Sequence, residues 1–430
     1  MSFPGINARG PNDQKTLNEE LLTALVEVAQ RNPQHAVEVF GVSLGVAVRL
    51  ASMSDAQLAD VATTPAALWR PALTERVVRA LPRRQALPAP AHEAYRPVLD
   101  RLNRLALATF ARYADDPVAA ALVCEIVEPQ VIDALQDLPA FAFLEWGPNA
   151  GAPLIVPCIT DMLLDRLLRA EDDSVDVRLR GLLALVTACE QEFEHLNYTI
   201  REESRRHEAD TRGPVVKRSG RPPASFLQPR TSSLILTMLR HRLRPSEVEG
   251  YLLPSSDVRA AQLRAIAEQL NPRQLREKGA PRDRSRDHRD LWGSAHRRLI
   301  ATAIVRLQRR LITAGVEPLE AMVLAFDYHE RSYEADCGVT LSRMLKDAHE
   351  ALLVGTETHL SHCAKCSVVY LSHEERTGII ECPVCVLARA GRFGQRRTRG
   401  DRIDPIAYRD YGGWPGETWN ERYAAEPSRA

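Results

Sequence analysis

The sequence predicts a mainly α protein, with tandem helical modules followed by a helical domain that ends in a small four-cysteine zinc ribbon. Three observations carry that prediction. Leu and Ala dominate the 430 residues, Phe, Trp and Tyr make up only 6%, and β-branched runs are short, so amphipathic helices are the expected elements. A pattern in the first half returns about 84 residues later. Near the C-terminus two C-x-x-C pairs, Cys363/Cys366 and Cys382/Cys385, stand fifteen residues apart, a spacing that lets four thiolates converge on one tetrahedral ion.

The repeat begins at Leu21–Val42 and reappears at Leu105–Ile126. Pro33 and Pro117 each follow a polar residue, Asn32 or Asp116, the cap-then-proline order that starts a helix. Each copy then continues through a further apolar helix, a Leu-x-x-Met or Leu-x-x-Leu step (Leu50/Met53, Leu135/Leu138) and a second short apolar segment that ends in Trp69 or Trp146. Modules are therefore expected at 1–92 and 93–200, packed on each other as a pseudo-dimer, with helices at 159–168 and 177–196 as scaffold. Chance similarity between two Ala/Leu-rich stretches is the competing account.

Residues 201–231 lose the helical pattern and gather Gly213-Pro214, Ser219-Gly220 and Pro222-Pro223, the composition of an exposed linker. Helical periodicity resumes at Ser232 and opens a helical domain over 232–358. Its first helix runs to Leu243 and a second covers Ser256–Leu270, with a turn at Arg244-Pro245-Ser246, the outline of a helix-turn-helix. A loop at 271–292 collects Arg273, Arg276, Lys278, Arg282, Arg284, Arg286 and Arg289 among four acids, and reads equally as a phosphate clamp or as a solvated, salt-bridged loop. Ser294 is the expected N-cap of a long helix that stops at Gly315, with Leu299, Ile300, Ala303, Ile304, Leu307 and Leu311 as its apolar stripe. Two more helices, at 318–334 and 340–354, lead to the first cysteine pair.

The ribbon is expected over 359–402, with Val368–Leu371 and Ile379-Ile380 as the two arms of a hairpin and one cysteine pair at each end. Four thiolates close the coordination sphere of one structural Zn²⁺, with no open position for water or substrate, and no phosphate loop or catalytic elbow is found elsewhere. A non-enzyme is the expectation. The other cysteines, Cys124, Cys158, Cys189 and Cys337, read as buried small hydrophobes of a reducing compartment. No secretory signal and no bilayer-length apolar run is present, so a cytoplasmic protein without a membrane partner is expected.

Charge divides along the chain. Residues 1–200 hold 17 Lys and Arg against 26 Asp and Glu, a net of −9, and residues 201–430 hold 39 against 30, a net of +9. An acidic half for protein contacts joined to a basic half for a polyanion fits that division. The basic half is densest after Cys385, where Arg389, Arg392, Arg396, Arg397 and Arg399 stand in a Gly-interrupted extension that suits phosphate contacts. The other reading is a solvated basic tail on an assembly scaffold. Residues 403–430 form a C-terminal tail.

The order of helix-turn-helix outline, Lys278-Gly279-x-Pro281 loop, Trp292, helix pair, Leu341–Leu345 segment and doubled C-x-x-C with a basic tail resembles the FlhC family, a subunit of the bacterial flagellar master transcription activator, over roughly 232–400. The acidic repeats resemble FlhD, its small helical dimeric partner. The resemblance implies two FlhD-like modules fused to one FlhC-like module, a homodimer that reproduces the family's four-to-two stoichiometry, double-stranded DNA bound by the zinc-bearing half, and activation through RNA polymerase. The four ligands carry over to Cys363, Cys366, Cys382 and Cys385.

Overall fold

The computed structural model describes residues 9–64, 66–83, 93–139, 141, 150, 152–168, 229–241, 243–252, 263, 291–333, 339–350, 358–366, 368–373 and 381–389. These residues are mostly helical, with four short strands, as the composition predicts. The predicted helix at 177–196, the loop at 271–290, the tail at 403–430, Trp146, Cys189 and Cys337 lie outside the described residues.

The first module runs α1 (Arg9–Arg31), α2 (Pro33–Phe40), α3 (Leu44–Ser52), α4 (Asp55–Ala62), β1 (Trp69–Pro71) and α5 (Glu75–Ala80). The second runs α6 (Arg96–Tyr113), α7 (Pro117–Val123), α8 (Pro129–Gln136), β2 (Ile155–Pro157) and α9 (Asp161–Leu168). The polar residue before each proline caps its helix. Asn32 accepts from the Gln34 amide and Asp116 from those of Val118 and Ala119, satisfying donors that a helix start otherwise leaves bare. Ser43 and Thr74 cap α3 and α5, and Ser54 forms a capping box with Gln57 at α4.

A buried asparagine performs the same task in both copies. Asn18 of α1 donates to the carbonyls of Thr64 and Ala66 and accepts from the Leu68 amide. Asn103 of α6 donates to the Ala152 carbonyl and accepts from the Leu154 amide. Leu68 and Leu154 are thereby equivalent, and so are Trp69 and Ile155. That corrects the alignment of Trp69 with Trp146, because a bulky aromatic in a short apolar run is a weaker marker than the hydrogen bonds the backbone needs.

Strands β1 and β2 pair antiparallel, with Trp69 opposite Pro157, Arg70 opposite Val156 and Pro71 opposite Ile155. Since Pro71 and Pro157 are themselves equivalent, the pairing places a local two-fold axis at Arg70 and Val156. The helices after the strands cross that axis reciprocally. Helix α5 packs on α8 of the second copy, and α9 packs on α3 and α4 of the first. Helix α9 comes closest at Gly45, where a Cβ would stand 2.7 Å from Asp161 Oδ1 and the exposed carboxylate would have to turn aside. The expected pseudo-dimer is thus an exchanged one.

The remaining elements are α10 (Pro229–Arg240), α11 (Pro245–Leu252), α12 (Ala295–Thr313), α13 (Pro318–Tyr333), α14 (Leu341–Arg343, continuing as a π-helix over Met344–Glu350), β3 (Thr358–His362), β4 (Val369–His373) and α15 (Pro383–Arg389). Helix α10 starts inside the predicted linker. The predicted turn at Arg244–Ser246 is the start of α11, with Pro245 as its first residue and Glu247 accepting from the Arg244 amide. A helix thus stands at Pro245–Leu252, where the pattern placed only a turn. Within Ser256–Leu270 the described residue is Leu263, which is helical and buried.

Helix α12 keeps its predicted ends, with Ser294 accepting from the Arg297 amide and Gly315 at φ 86° closing the C-terminus. It is buried on all sides, and even Arg298, Arg306 and Arg309 are no more than 2% exposed. Such a helix is a spine. Helices α7, α13 and α15 and strand β4 all pack on it. One continuous apolar core runs from the modules through α12 to the ribbon. No helix among the described residues is long and apolar enough to cross a membrane.

Candidate metal centre

The first cysteine pair lies in the turn of the β3–β4 hairpin. Cys363 donates its amide to the Val368 carbonyl at 3.0 Å and its carbonyl accepts from the Cys366 amide at 3.3 Å, so the chain folds tightly enough to aim both sulfurs one way. The second pair opens α15, where Val386 donates to the Cys382 carbonyl at 3.0 Å. The strand before the first cysteine pair forms one arm of this hairpin: β4 pairs with it from Thr358 opposite His373 to His362 opposite Val369, and the expected arm Ile379-Ile380 lies outside the described residues. Thr358–His362 carries one apolar residue, Leu360, among four polar ones, so no strand period marks it in the sequence.

All four sulfurs lie within 4.8 Å of one another. Cys363 and Cys385 are 3.7 Å apart and Cys366 and Cys382 3.4 Å. A tetrahedral ion with metal–sulfur bonds of about 2.3 Å sets its ligands about 3.8 Å apart, so the cage is already the right size. None of the four is disulfide-bonded. A set of four soft sulfur donors in tetrahedral array fits a soft or borderline transition metal ion and leaves it no vacant position. His362, beside the first pair, is not part of the cluster.

The thiols are electrostatically tied. Hydrogen bonds from Cys366, then Cys382 and Cys385, hold Cys363 well below the usual thiol range. Cys366 and Cys382 are pushed up, foremost by donating to Cys363. Four sulfurs this close share protons that a cation displaces when it binds them as thiolates.

The cage is seated on α12. Leu371 of β4 donates its amide to Thr302 Oγ1 at 3.0 Å, which ties the strand's outer edge to the spine. Ser361 and Ser372 pair their hydroxyls across the hairpin at 2.7 Å, and Trp292 meets the His373 ring edge-on at 5.0 Å. Leu360, Val368, Val369, Leu371 and Val384 are buried against this surface. Thr302 is a seat that pattern reading missed, since a Thr within an apolar helix carries no distinguishing signal.

Of the predicted DNA contacts, Arg389 is the last residue of α15. Arg392, Arg396, Arg397 and Arg399, and the loop residues Arg273, Arg276, Lys278, Arg282 and Arg284, lie outside the described residues. No protein-family model, curated protein or solved structure matches the chain.

Proposed function

We propose that the chain is a zinc-containing, DNA-binding transcriptional regulator, an activator organised as a fused FlhD/FlhC-like complex, acting in the cytoplasm as a homodimer. One Zn²⁺ per chain, held by Cys363, Cys366, Cys382 and Cys385, is a structural ion, and the protein is not an enzyme. The observation that carries this reading is the continuity of the cage with a cationic arm. Helix α15 leaves the second cysteine pair and ends at Arg389, and Arg392, Arg396, Arg397 and Arg399 follow directly in the sequence. A metal that fixes the start of α15 would fix the base of that arm, and each phosphate it neutralises would release counterions. The exchanged pair of modules supports the dimeric, FlhD-like half of the reading, and RNA polymerase as partner rests on the resemblance alone.

Salt titration of the zinc-loaded full chain on duplex promoter fragments tests it. Affinity should fall steeply as salt rises, and replacing Arg392, Arg396 and Arg397 together should reduce the slope of log affinity against log salt by roughly 3. No binding at low salt to any fragment, with zinc confirmed bound, rejects it. One observation favours a second reading, an assembly scaffold without DNA. The cage packs into the same core as the modules, as an internal staple would. In that case the triple arginine variant leaves function intact.

A further inference from the structure

Glu125, immediately after α7, has φ 57° and is the non-glycine residue with positive φ among the described residues. L side chains rarely adopt that conformation. By the spacing that relates Asn32 to Asp116 and Pro33 to Pro117, its counterpart in the first module is Gly41, also left-handed at φ 70°. The backbone turn is thus common to both copies, and the second places a carboxylate where the first uses the residue suited to it.

The carboxylate has a specific contact. Glu125 Oε1 is 2.8 Å from Arg310 Nη1 near the end of α12, and the two side chains are only 15% and 13% exposed. Around it, Gln14 of α1 donates to the Val123 carbonyl at 2.8 Å and accepts from the Tyr328 hydroxyl of α13 at 3.4 Å. The apolar part of the seam is equally one-sided. Leu122 of α7 is 1% exposed, and its counterpart in α2 is Glu38, which is exposed.

We propose that Glu125 is the docking residue that makes α7 of the second module, and not its counterpart α2 in the first, the seat of α12. Its carboxylate ties α7 to α12 through Arg310, and the matching Gly41 and Glu38 leave α2 without that grip. The proposal is independent of whether the chain binds DNA.

Hydrogen exchange on the full-length chain tests it at two amides. Val316 donates to the Leu311 carbonyl at the end of α12, and Ile126 to the Ala120 carbonyl beside Glu125. Glu125→Gly relieves the backbone yet should speed Val316 exchange roughly tenfold, because a nearly buried arginine loses its carboxylate. Glu125→Gln, which keeps the strained backbone, should speed it at least as much. In an Arg310→Gln background the relief of the positive-φ backbone remains, and adding Glu125→Gly should slow Ile126 exchange relative to Arg310→Gln alone. Gly41→Ala should leave Val316 exchange unchanged. Val316 exchange that is unaltered or slower in Glu125→Gly overturns the proposal, and that comparison stands even if Arg310→Gln does not fold.

Discussion

The two buried asparagines give the sharpest test of the internal symmetry, because they make the same type of contact with different completeness. Asn18 and Asn103 are 0% and 1% exposed. Asn18→Ala strands three groups, the Leu68 amide and the carbonyls of Thr64 and Ala66, all on buried residues. Asn103→Ala strands the Leu154 amide on a buried residue and the carbonyl of Ala152, which is only half-buried and can turn to water. At about 1 kcal/mol for each buried group left without a partner, Asn18→Ala costs about 3 kcal/mol and Asn103→Ala about 1 to 2. Native-state hydrogen exchange reads both directly, since every 1.4 kcal/mol is a factor of ten. The Leu68 amide should exchange on the order of a hundredfold faster in Asn18→Ala, and the Leu154 amide roughly tenfold faster in Asn103→Ala. Equal effects, or less than a tenfold change at Leu68, would refute the claim that these side chains hold β1 and β2 to α1 and α6.

Three further outcomes follow from the same geometry. Cys382→Ser, or a strong chelator, should abolish stoichiometric metal binding and speed exchange through 358–389 and along the face of α12 at Thr302, while central α1 amides around Leu21 keep their protection; unchanged exchange in β4 would show that the cage does not order the ribbon. His241 bridges Asp327 and Glu330 at 3.0 Å each; burial lowers its pKa, but the hydrogen bonds to Asp327 and then Glu330 outweigh this and lift it to about 9. Because the folded value lies above the unfolded one of about 6.5, the resulting stability, on the order of 3 kcal/mol, is fully present below pH 6.5 and is lost as pH rises through about 9, so chemical unfolding midpoints should fall over that range and His241→Asn should flatten the fall. Gly45→Ala should turn the exposed Asp161 carboxylate off its 2.7 Å hydrogen bond from Ser43, but alanine's better helix propensity in α3 offsets the loss, so the melting temperature should change little; a fall of several degrees would mean that Asp161 cannot move aside.

The helical class, the helix ends and the clustering of the four cysteines were legible in the sequence because each rests on short-range chemistry. A cap before a proline, a glycine after a helix and paired cysteines two residues apart act over a few residues, so Asn32, Asp116, Ser294, Gly315 and the four cysteines appear where the pattern places them. Register and partner choice are different in kind. Strand β4 pairs upstream with β3, and the equivalent of Trp69 is Ile155, because backbone groups buried by tertiary packing take whichever partner completes their hydrogen bonds. Thr302 under the ribbon, His241 between two carboxylates and Glu125 against Arg310 join residues 69, 86 and 185 positions apart in the chain. Such pairs leave no periodic trace, since their energy comes from desolvation in a core that exists only once the helices have met.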